Sequence, residues 1–378
     1  MKSNLRIMSI IFLLFTLIIT ACQSSWEIEF STGDQARGEI NQADVTFYIE
    51  KSLEESETLP LGQLLYHNGY SLIDQIDLIS VSGESQNFIW DEIAEKTTIS
   101  QAGAIAIGDQ QYNVDSIAIY PSPQLNEISH SIMDIAPTVA NALGLPAIPN
   151  AHGNMSWKPQ GSIDHAIMIL LDGLQLQKLQ SLIEQGDLPF FDNLETVLKG
   201  LTIYPPITTS STAALLTSTP PLENGVFGYG YRTTALTTLF DLALESDKTV
   251  TAVEGSSLPF NLRNIETILS GDRDGNGFSD DNVFSNSMDI IQSNLPDILY
   301  IHFHEIDDMG HEYGPNSDEY KSAIIRVDQY LYEIYKALPE NTFVVIFADH
   351  GMHETTDGGN HGTLTAADLI IPIIFLEK

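Results

Sequence analysis

The stretch IHFHEIDDMGHEYGP, residues 301–315, decides how the rest of the chain is read. An apolar run over 298–303 breaks into Asp307, Asp308 and His311 and then a Gly314-Pro315 turn, the pattern of a buried strand delivering carboxylates and an imidazole into a loop. Two further runs end in the same way. Residues 166–171 lead into Asp172-Gly173, and 342–348 lead into Asp349-His350-Gly351, with His361 a short loop later. Imidazole nitrogen and carboxylate oxygen are zinc ligands, and a catalytic site leaves one position open for substrate. The ligands present suffice for two ions.

Length and composition bound the reading. A chain of 378 residues holds one large α/β domain and a smaller unit. Lys2 and Arg6 precede an apolar run over 7–19 that is followed by Thr20, Ala21 and Cys22, which reads as a secretion signal over 1–22. The alternative, a membrane-spanning helix, needs roughly 20 apolar residues, and this run is shorter. Small residues before a cysteine resemble the lipobox of bacterial lipoproteins, which makes Cys22 the lipidated residue and the expected location extracytoplasmic, anchored to a membrane. Cys22 is the sole cysteine, so no disulfide and no cysteine nucleophile is available to the mature body. With 51 Asp plus Glu against 16 Lys plus Arg, the formal charge of −35 repels polymeric nucleic acid. A small anionic substrate is still admissible, because divalent cations reverse the field locally.

Residues 23–40 read as a structureless tether. Between 41 and 125 short alternating segments at 45–49, 76–81, 104–107 and 116–120, with helices at 61–68 and 90–96, predict a small α+β unit without a catalytic constellation. Residues 126–160 contain one helix with Ile135, Val139, Ala142 and Leu143 on its apolar face, then a Pro-, Asn- and Gly-rich connection. From 161 to 378 strands alternate with helices at 174–185, 239–245 and 317–338, which predicts a mostly parallel sheet with covered faces and a site at the carboxyl ends of its strands. The segment ITTSSTAALLTSTPP, 207–221, places hydroxyls before a helix beginning at 213–216. Alone these read as caps; beside three acidic strand ends, one of them is a candidate nucleophile. Asp272, Asp274, Asn276 and Asp280, with Gly277 at the sixth position, match a calcium loop that lacks its final glutamate, since Val283 stands there.

Three stretches, MILLDG at 168–173, DDMGHEYGP at 307–315, and FADHGM at 347–352 with GNHG at 359–362, resemble the alkaline phosphatase superfamily, in particular its type I phosphodiesterase/nucleotide pyrophosphatase branch. That resemblance implies an alkaline-phosphatase-like α/β sandwich with two zinc ions. Asp307, His311 and His361 would hold one, and Asp172, Asp349 and His350 the other together with the nucleophile. The family nucleophile lies nine residues before the threonine of a helix reading like LLTG; here that threonine is Thr217, which assigns Thr208, with Thr209 as the neighbouring alternative. The family's glycine after that threonine is Ser218 here, its Asn three residues after the nucleophile is Ser211, and its His-Gly after the helix is Asn224-Gly225. His302, His304 and His353 have no family role and read as supporting or core residues.

The implied activity is zinc-dependent hydrolysis of a small phosphate ester through a covalent phosphothreonine. Alternatives are a phosphomonoesterase, a phosphonate hydrolase, or a metal-binding lipoprotein without catalysis. A sulfatase is disfavoured because no C/S-x-P-S-R motif occurs, and a mutase because of the leader. In the superfamily a helix beginning D-I-A-P-T follows the last zinc histidine. Here SIMDIAPTVANALGLP occurs at 131–146, ahead of the first metal strand, which predicts a circularly permuted core with this helix on the same sheet as the 371–375 strand.

Overall fold

Strands buried on both faces are dominated by apolar residues, and the runs that end in Asp172, in His304 and in Asp349 meet that condition with His302 and Thr342 as the polar exceptions: every residue of Ile298–Phe303 and of Thr342–Phe347 is buried. Such side chains each contribute roughly 1.5–3 kcal/mol on removal from water. A computed structural model of the chain describes residues 26–32, 35–52 and 56–378. The leader and Cys22 lie outside these residues. Among the described residues no helix is long and apolar enough to cross a membrane.

These runs form the centre of an eight-stranded sheet in the order His130–Ser131, Leu198–Leu201, Ile370–Glu377, Thr342–Phe347, His165–Leu171, Ile298–Phe303, Val250–Glu254, Glu266–Leu269. All pairings are parallel except the two made by Ile370–Glu377. The fold is therefore mixed α/β with a central, mostly parallel sheet, and helices cover it. The amphipathic helix Asp318–Ala337 buries Ile324, Val327, Leu331 and Ile334 in the sheet's core.

The helix Ile135–Ala142 lies in that core too. Ile135 and Val139 are fully buried in the same cluster as Ile371, Ile373 and Ile374, and the helix packs against the Thr342–Phe347 strand of the same sheet. Leu143, expected on its face, is the C-cap and is partly buried. Asp134 ties the segment down by accepting from Ser131 N at 2.9 Å and Asn154 N at 2.7 Å.

The N-terminal part differs from expectation in two places. Residues 23–38 are not a bare tether: Glu27–Thr32 and Gln35–Asn41 form an antiparallel pair, because Ile28, Phe30 and Ile40 alternate inward onto a small core. Residues 45–49, expected as a strand, belong to the helix Gln42–Ser52, whose Val45 and Ile49 are one turn apart on its buried side. Asn41 Oδ1 caps it by accepting from Ala43 N at 2.8 Å. A five-stranded and a four-stranded sheet complete this unit. Its core is continuous with Tyr204, Leu364, Leu369 and Ile370 of the larger body, and buried Trp90 donates from Nε1 to Leu364 O at 2.7 Å. The small unit thus grips the segment that follows His361.

Candidate metal centre

Asp172 and the Asp349-His350 pair sit just past the carboxyl ends of central strands, and Asp307, His311 and His361 lie on the segments that continue from such ends, where a parallel sheet leaves backbone groups unpaired. Asp172 follows His165–Leu171, and Gly173 then turns with φ +67. A Cβ at Gly173 would come within 2.6 Å of Asp307 Oδ1, so glycine is what lets the two carboxylates approach. Tyr320 clamps this turn, donating to Gly173 O at 2.7 Å and accepting from Gln175 N at 2.8 Å.

The 305–313 segment is not a loop. Glu305–Tyr313 is a helix, and its pitch sets Asp307 and His311 on one face, with His311 Nε2 3.3 Å from Asp307 Oδ2. Asp308 points outward and is exposed. His361 lies beyond the short hairpin His353–Thr355 and Gly358–Asn360. His353 is not part of the centre. It binds Asp368 at 2.8 Å, and Asp368, fully buried, also accepts from Thr363 N and Thr363 Oγ1, which shapes the segment after His361.

Ligand atoms of Asp172, Asp349 and His350 lie within 4.8 Å of one another, as do those of Asp307, His350 and His361. His350 thereby faces both groups, and His311 joins at the rim, its Nε2 3.1 Å from His361 Nε2. Three backbone carbonyls set the tautomers. Nδ1 of His350 lies 3.0 Å from Gly351 O, Nδ1 of His361 3.0 Å from Pro206 O, and Nδ1 of His311 3.1 Å from Gly359 O. A carbonyl only accepts, so each neutral ring carries its hydrogen on Nδ1 and turns the Nε2 lone pair inward.

The buried oxygens Asp172 Oδ1, Asp307 Oδ1 and Asp349 Oδ2 have no hydrogen-bond partner. Burial, then the charges of Asp349 and Asp307, push the Asp172 carboxyl well above its usual range. Burial also opposes ionisation of Asp307, but with no ion bound a protonated His311 donates to it, and that hydrogen bond with the charge of neighbouring rings when protonated holds it at about 2. Burial foremost, with the neighbouring His350, pulls His361 down to about 3. Converging lone pairs, orphaned carboxylate oxygens and mutual repulsion among buried acids are what divalent cations relieve, so this donor set fits such ions.

Thr208 opens the helix Thr208–Thr217, five residues earlier than expected. Its Oγ1 lies 3.4 Å from His350 Nε2, whereas Thr209 Oγ1 is buried without a partner. Geometry therefore favours Thr208 over Thr209 beside the metal ligands. The first amides of this helix have no carbonyl behind them and form an anion-receptive end. Ser211, at the position where the resemblance implies Asn, is fully buried and pairs with Thr202 Oγ1 at 3.0 Å. Ser218, in place of glycine, adopts φ +55 at the C-cap, and its hydroxyl donates to Met133 O at 2.7 Å, which compensates the strained backbone. Asn224, in place of histidine, ends the short helix Pro221–Asn224 and donates to Thr219 O at 2.7 Å.

Two residues that the reading of the sequence passed over join the centre. Tyr229 Oη stands 3.4 Å from His361 Nε2, and burial together with the three aspartates raises its pKa, keeping it a hydrogen donor at an exposed rim. Glu254 is a buried acid at the end of an otherwise apolar strand, a signal that reading the strand to its last residue would have found.

The acidic loop does not assemble as expected. Asp280 is fully buried and caps the strand end, accepting from His304 N at 2.9 Å and Glu305 N at 3.0 Å, and so is withdrawn from the loop. Asp272 is occupied by the amides of Gly275, Asn276 and Gly277, and Asn276 donates to Asp274 and Asp281.

Residues 256–370 match the profile of the type I phosphodiesterase / nucleotide pyrophosphatase family. The match includes Asp307, His311, Asp349, His350 and His361 and leaves out Asp172 and Thr208. The GPI ethanolamine phosphate transferase 3 of Eremothecium gossypii is 31% identical over 113 residues, 30% of this chain and 11% of that protein. The chain thus spans about a tenth of the length of that relative. Among solved structures, phosphonoacetate hydrolase from Sinorhizobium meliloti 1021 in complex with phosphonoformate aligns with TM-score 0.40 and 21% identity, covering 50% of this chain and 56% of that one. The C-terminal periplasmic domain of EcEptC from Escherichia coli, in complex with Zn, aligns with TM-score 0.44 and 16% identity, covering 62% and 77%.

Proposed function

We propose that this chain is a divalent-metal-dependent enzyme of phosphate esters, a phosphodiesterase or nucleotide pyrophosphatase that works through a covalent phosphothreonine on Thr208. The observation that carries the reading is the position of Thr208 Oγ1, at a helix N-terminus and 3.4 Å from an imidazole lone pair in a pocket of unpartnered carboxylate oxygens. Asp172, Asp349 and His350 would hold one Zn2+ beside Thr208, and Asp307, His311 and His361 the other. When bound, such ions supply positive charge that acidifies a hydroxyl and offsets charge on a phosphoryl group.

The chain's own residues account for the rest. The Thr208 oxygen attacks phosphorus in line, a bond forms from Oγ1 to phosphorus, and the ester bond to the leaving alcohol breaks. The amides of the first helical turn receive a phosphoryl oxygen, and Tyr229, protonated, donates from the rim. Water then attacks the phosphothreonine, returning the hydroxyl and releasing the second product. Because the overall charge is −35, a phosphate ester would be attracted to this site rather than repelled once cations are present. The leader and Cys22 extend the proposal to a lipid-anchored enzyme acting outside the cytoplasm.

A second reading is phosphotransfer, in which an alcohol replaces water in the last step. It is favoured by the likeness to an ethanolamine phosphate transferase. Zinc-loaded protein should be assayed against an aryl phosphomonoester, an aryl phosphodiester and a dinucleotide, with and without ethanolamine-class alcohols. Diester turnover with an acid-stable adduct on Thr208 is expected. Product shifted to the alcohol would favour the transferase, and absence of turnover with all three would remove the enzymatic reading.

A further inference from the structure

The turn that carries Tyr229 is pinned to the large body at both ends and has glycines at its tip. Before it, fully buried Val226 donates its amide to Asn224 Oδ1 at 2.9 Å. After it, Arg232 O accepts from Asn261 N at 2.8 Å and the Arg232 guanidinium donates to Leu258 O at 3.0 Å. Between these points Phe227-Gly228-Tyr229-Gly230-Tyr231 turns back on itself, with Tyr231 N donating to Gly228 O at 3.0 Å. Glycine on either side gives Tyr229 little local restraint. A Cβ at Gly228 would meet nothing within 4 Å, so close packing is not what glycine serves there. Tyr229 is also 58% exposed, so burial does not fix it, yet its hydroxyl stands 3.4 Å from His361 Nε2.

What holds the turn comes from the small unit. Tyr231 Oη donates to Lys51 O at 2.7 Å. That carbonyl lies in the last turn of the helix Gln42–Ser52, where helical carbonyls lack an intrahelical partner and are free to accept from elsewhere. The Lys51 ammonium in turn lies over the rings of Phe227 and Phe47, 5.9 and 5.7 Å from their centroids. Phe227 and Tyr231 meet edge to face with centroids 5.9 Å apart. One residue of the small unit thus touches both flanks of the turn, two positions to either side of Tyr229. Attachment of the two bodies does not need this contact, because Trp90 and the shared apolar core already join them.

We propose that Tyr231 is a positioning residue: its hydrogen bond to the small unit fixes the turn, and the turn aims the Tyr229 hydroxyl at the metal centre. The small unit then completes the active site instead of merely bordering it. This inference deepens the phosphate-ester reading and rests on it for the kinetic arm of its test.

That arm is a double-mutant cycle on the zinc-loaded full-length protein with the aryl phosphodiester. Tyr231→Phe keeps the ring and removes only the hydroxyl, and should lower kcat/KM by about 3- to 10-fold, the usual effect of one hydrogen bond. In a Tyr229→Phe background the same change should cost less than about twofold, because the group it positions is gone. Equal losses in both backgrounds would reduce Tyr231 to a structural contact and overturn the proposal, as would wild-type kcat/KM in Tyr231→Phe. Hydrogen exchange read by mass spectrometry gives an arm independent of activity. Tyr231→Phe should speed exchange in peptides covering 226–232 and spare those covering 353–363. Unchanged exchange at 226–232 would remove the anchor. If no form of the protein turns over substrate, the enzymatic reading falls, while faster exchange in Tyr231→Phe would still establish the small unit as the holder of the Tyr229 turn.

Discussion

The two histidine clusters that meet at Asp172 differ in what receives their outward N–H groups. His311, His350 and His361 end on backbone carbonyls, while His302 and His304 share the carboxylate of Glu254. A carbonyl fixes a tautomer without adding charge, so the first cluster concentrates the charge of Asp172, Asp307 and Asp349 at its centre. In the second, Glu254 sets equal charge behind the rings and makes their lone pairs more basic. The first arrangement leaves unneutralised acid at its centre; in the second, His302 is held between two carboxylates, Glu254 and Asp172.

The largest effect should come from separating the clusters by chemistry. Thr208→Ala should lower turnover by about 10^4-fold or more and leave bound zinc unchanged, because no metal carboxylate or imidazole is removed. Thr209→Ala, whose hydroxyl has no partner, should stay near wild-type activity. If Thr209→Ala were the dead variant, the nucleophile would move by one residue and the contrast between the clusters would need redrawing.

A smaller but diagnostic effect concerns charge. Stripping the metal should lower Tm through lost linkage. In the stripped protein Asp349→Asn should be more stable than wild type by about 1–2 kcal/mol, since it removes one of the buried charges that raise Asp172. With zinc present the order should invert. Calorimetry in chelator and in zinc checks both, and an Asp349→Asn that is less stable under both conditions would deny the repulsion.

A histidine without a carboxylate supplies the control. His67, in the small unit, stacks on Tyr48 with centroids 4.5 Å apart, and burial lowers its pKa to about 4. The unfolded chain takes up this proton near pH 6.5 and the native state only near 4, so the stability tied to the neutral ring is present above 6.5 and is lost as pH falls from 6.5 to 4. Urea unfolding of wild type and His67→Gln across that window should show a shallower pH dependence in the variant. The smallest effect is expected at the acidic loop. With Asp280 withdrawn and Asp272 occupied by amides, millimolar calcium should leave Tm unchanged. A rise abolished by Asp274→Ala would reinstate the loop as a cation site.

Much of this was legible before any coordinates. Largely apolar runs ending in Asp172, His304 and Asp349 announced a parallel sheet, because strands covered on both faces carry few polar residues until they emerge, His302 being one such exception. The fault at 305–313 had a local cause: Asp307 and His311 are four apart, which is helical spacing, yet Gly310, Gly314 and Pro315 nearby suggested a loop. At 208–212 a run of hydroxyl residues with poor helix propensity concealed a helix start that tertiary burial stabilises. Calcium-type spacing at 272–280 misled because spacing cannot tell where a side chain turns, and Asp280 is drawn inward to satisfy two strand-end amides.

By itself the order of residues determined which strands are buried, which acids and imidazoles stand at their ends, and that the 131–146 helix belongs with a distant C-terminal strand. These follow from periodicity and adjacency, which are properties of the chain. Only the tertiary structure decided which nitrogen of each histidine faces inward, that Asp172 divides its two oxygens between clusters, and that Glu254 stands behind His302 and His304. Apart from His350, whose acceptor is the carbonyl of the next residue, those depend on carbonyls and carboxylates brought together from more than 40 positions away, as Glu254 and His302 are, and no local pattern encodes the direction from which such an acceptor arrives.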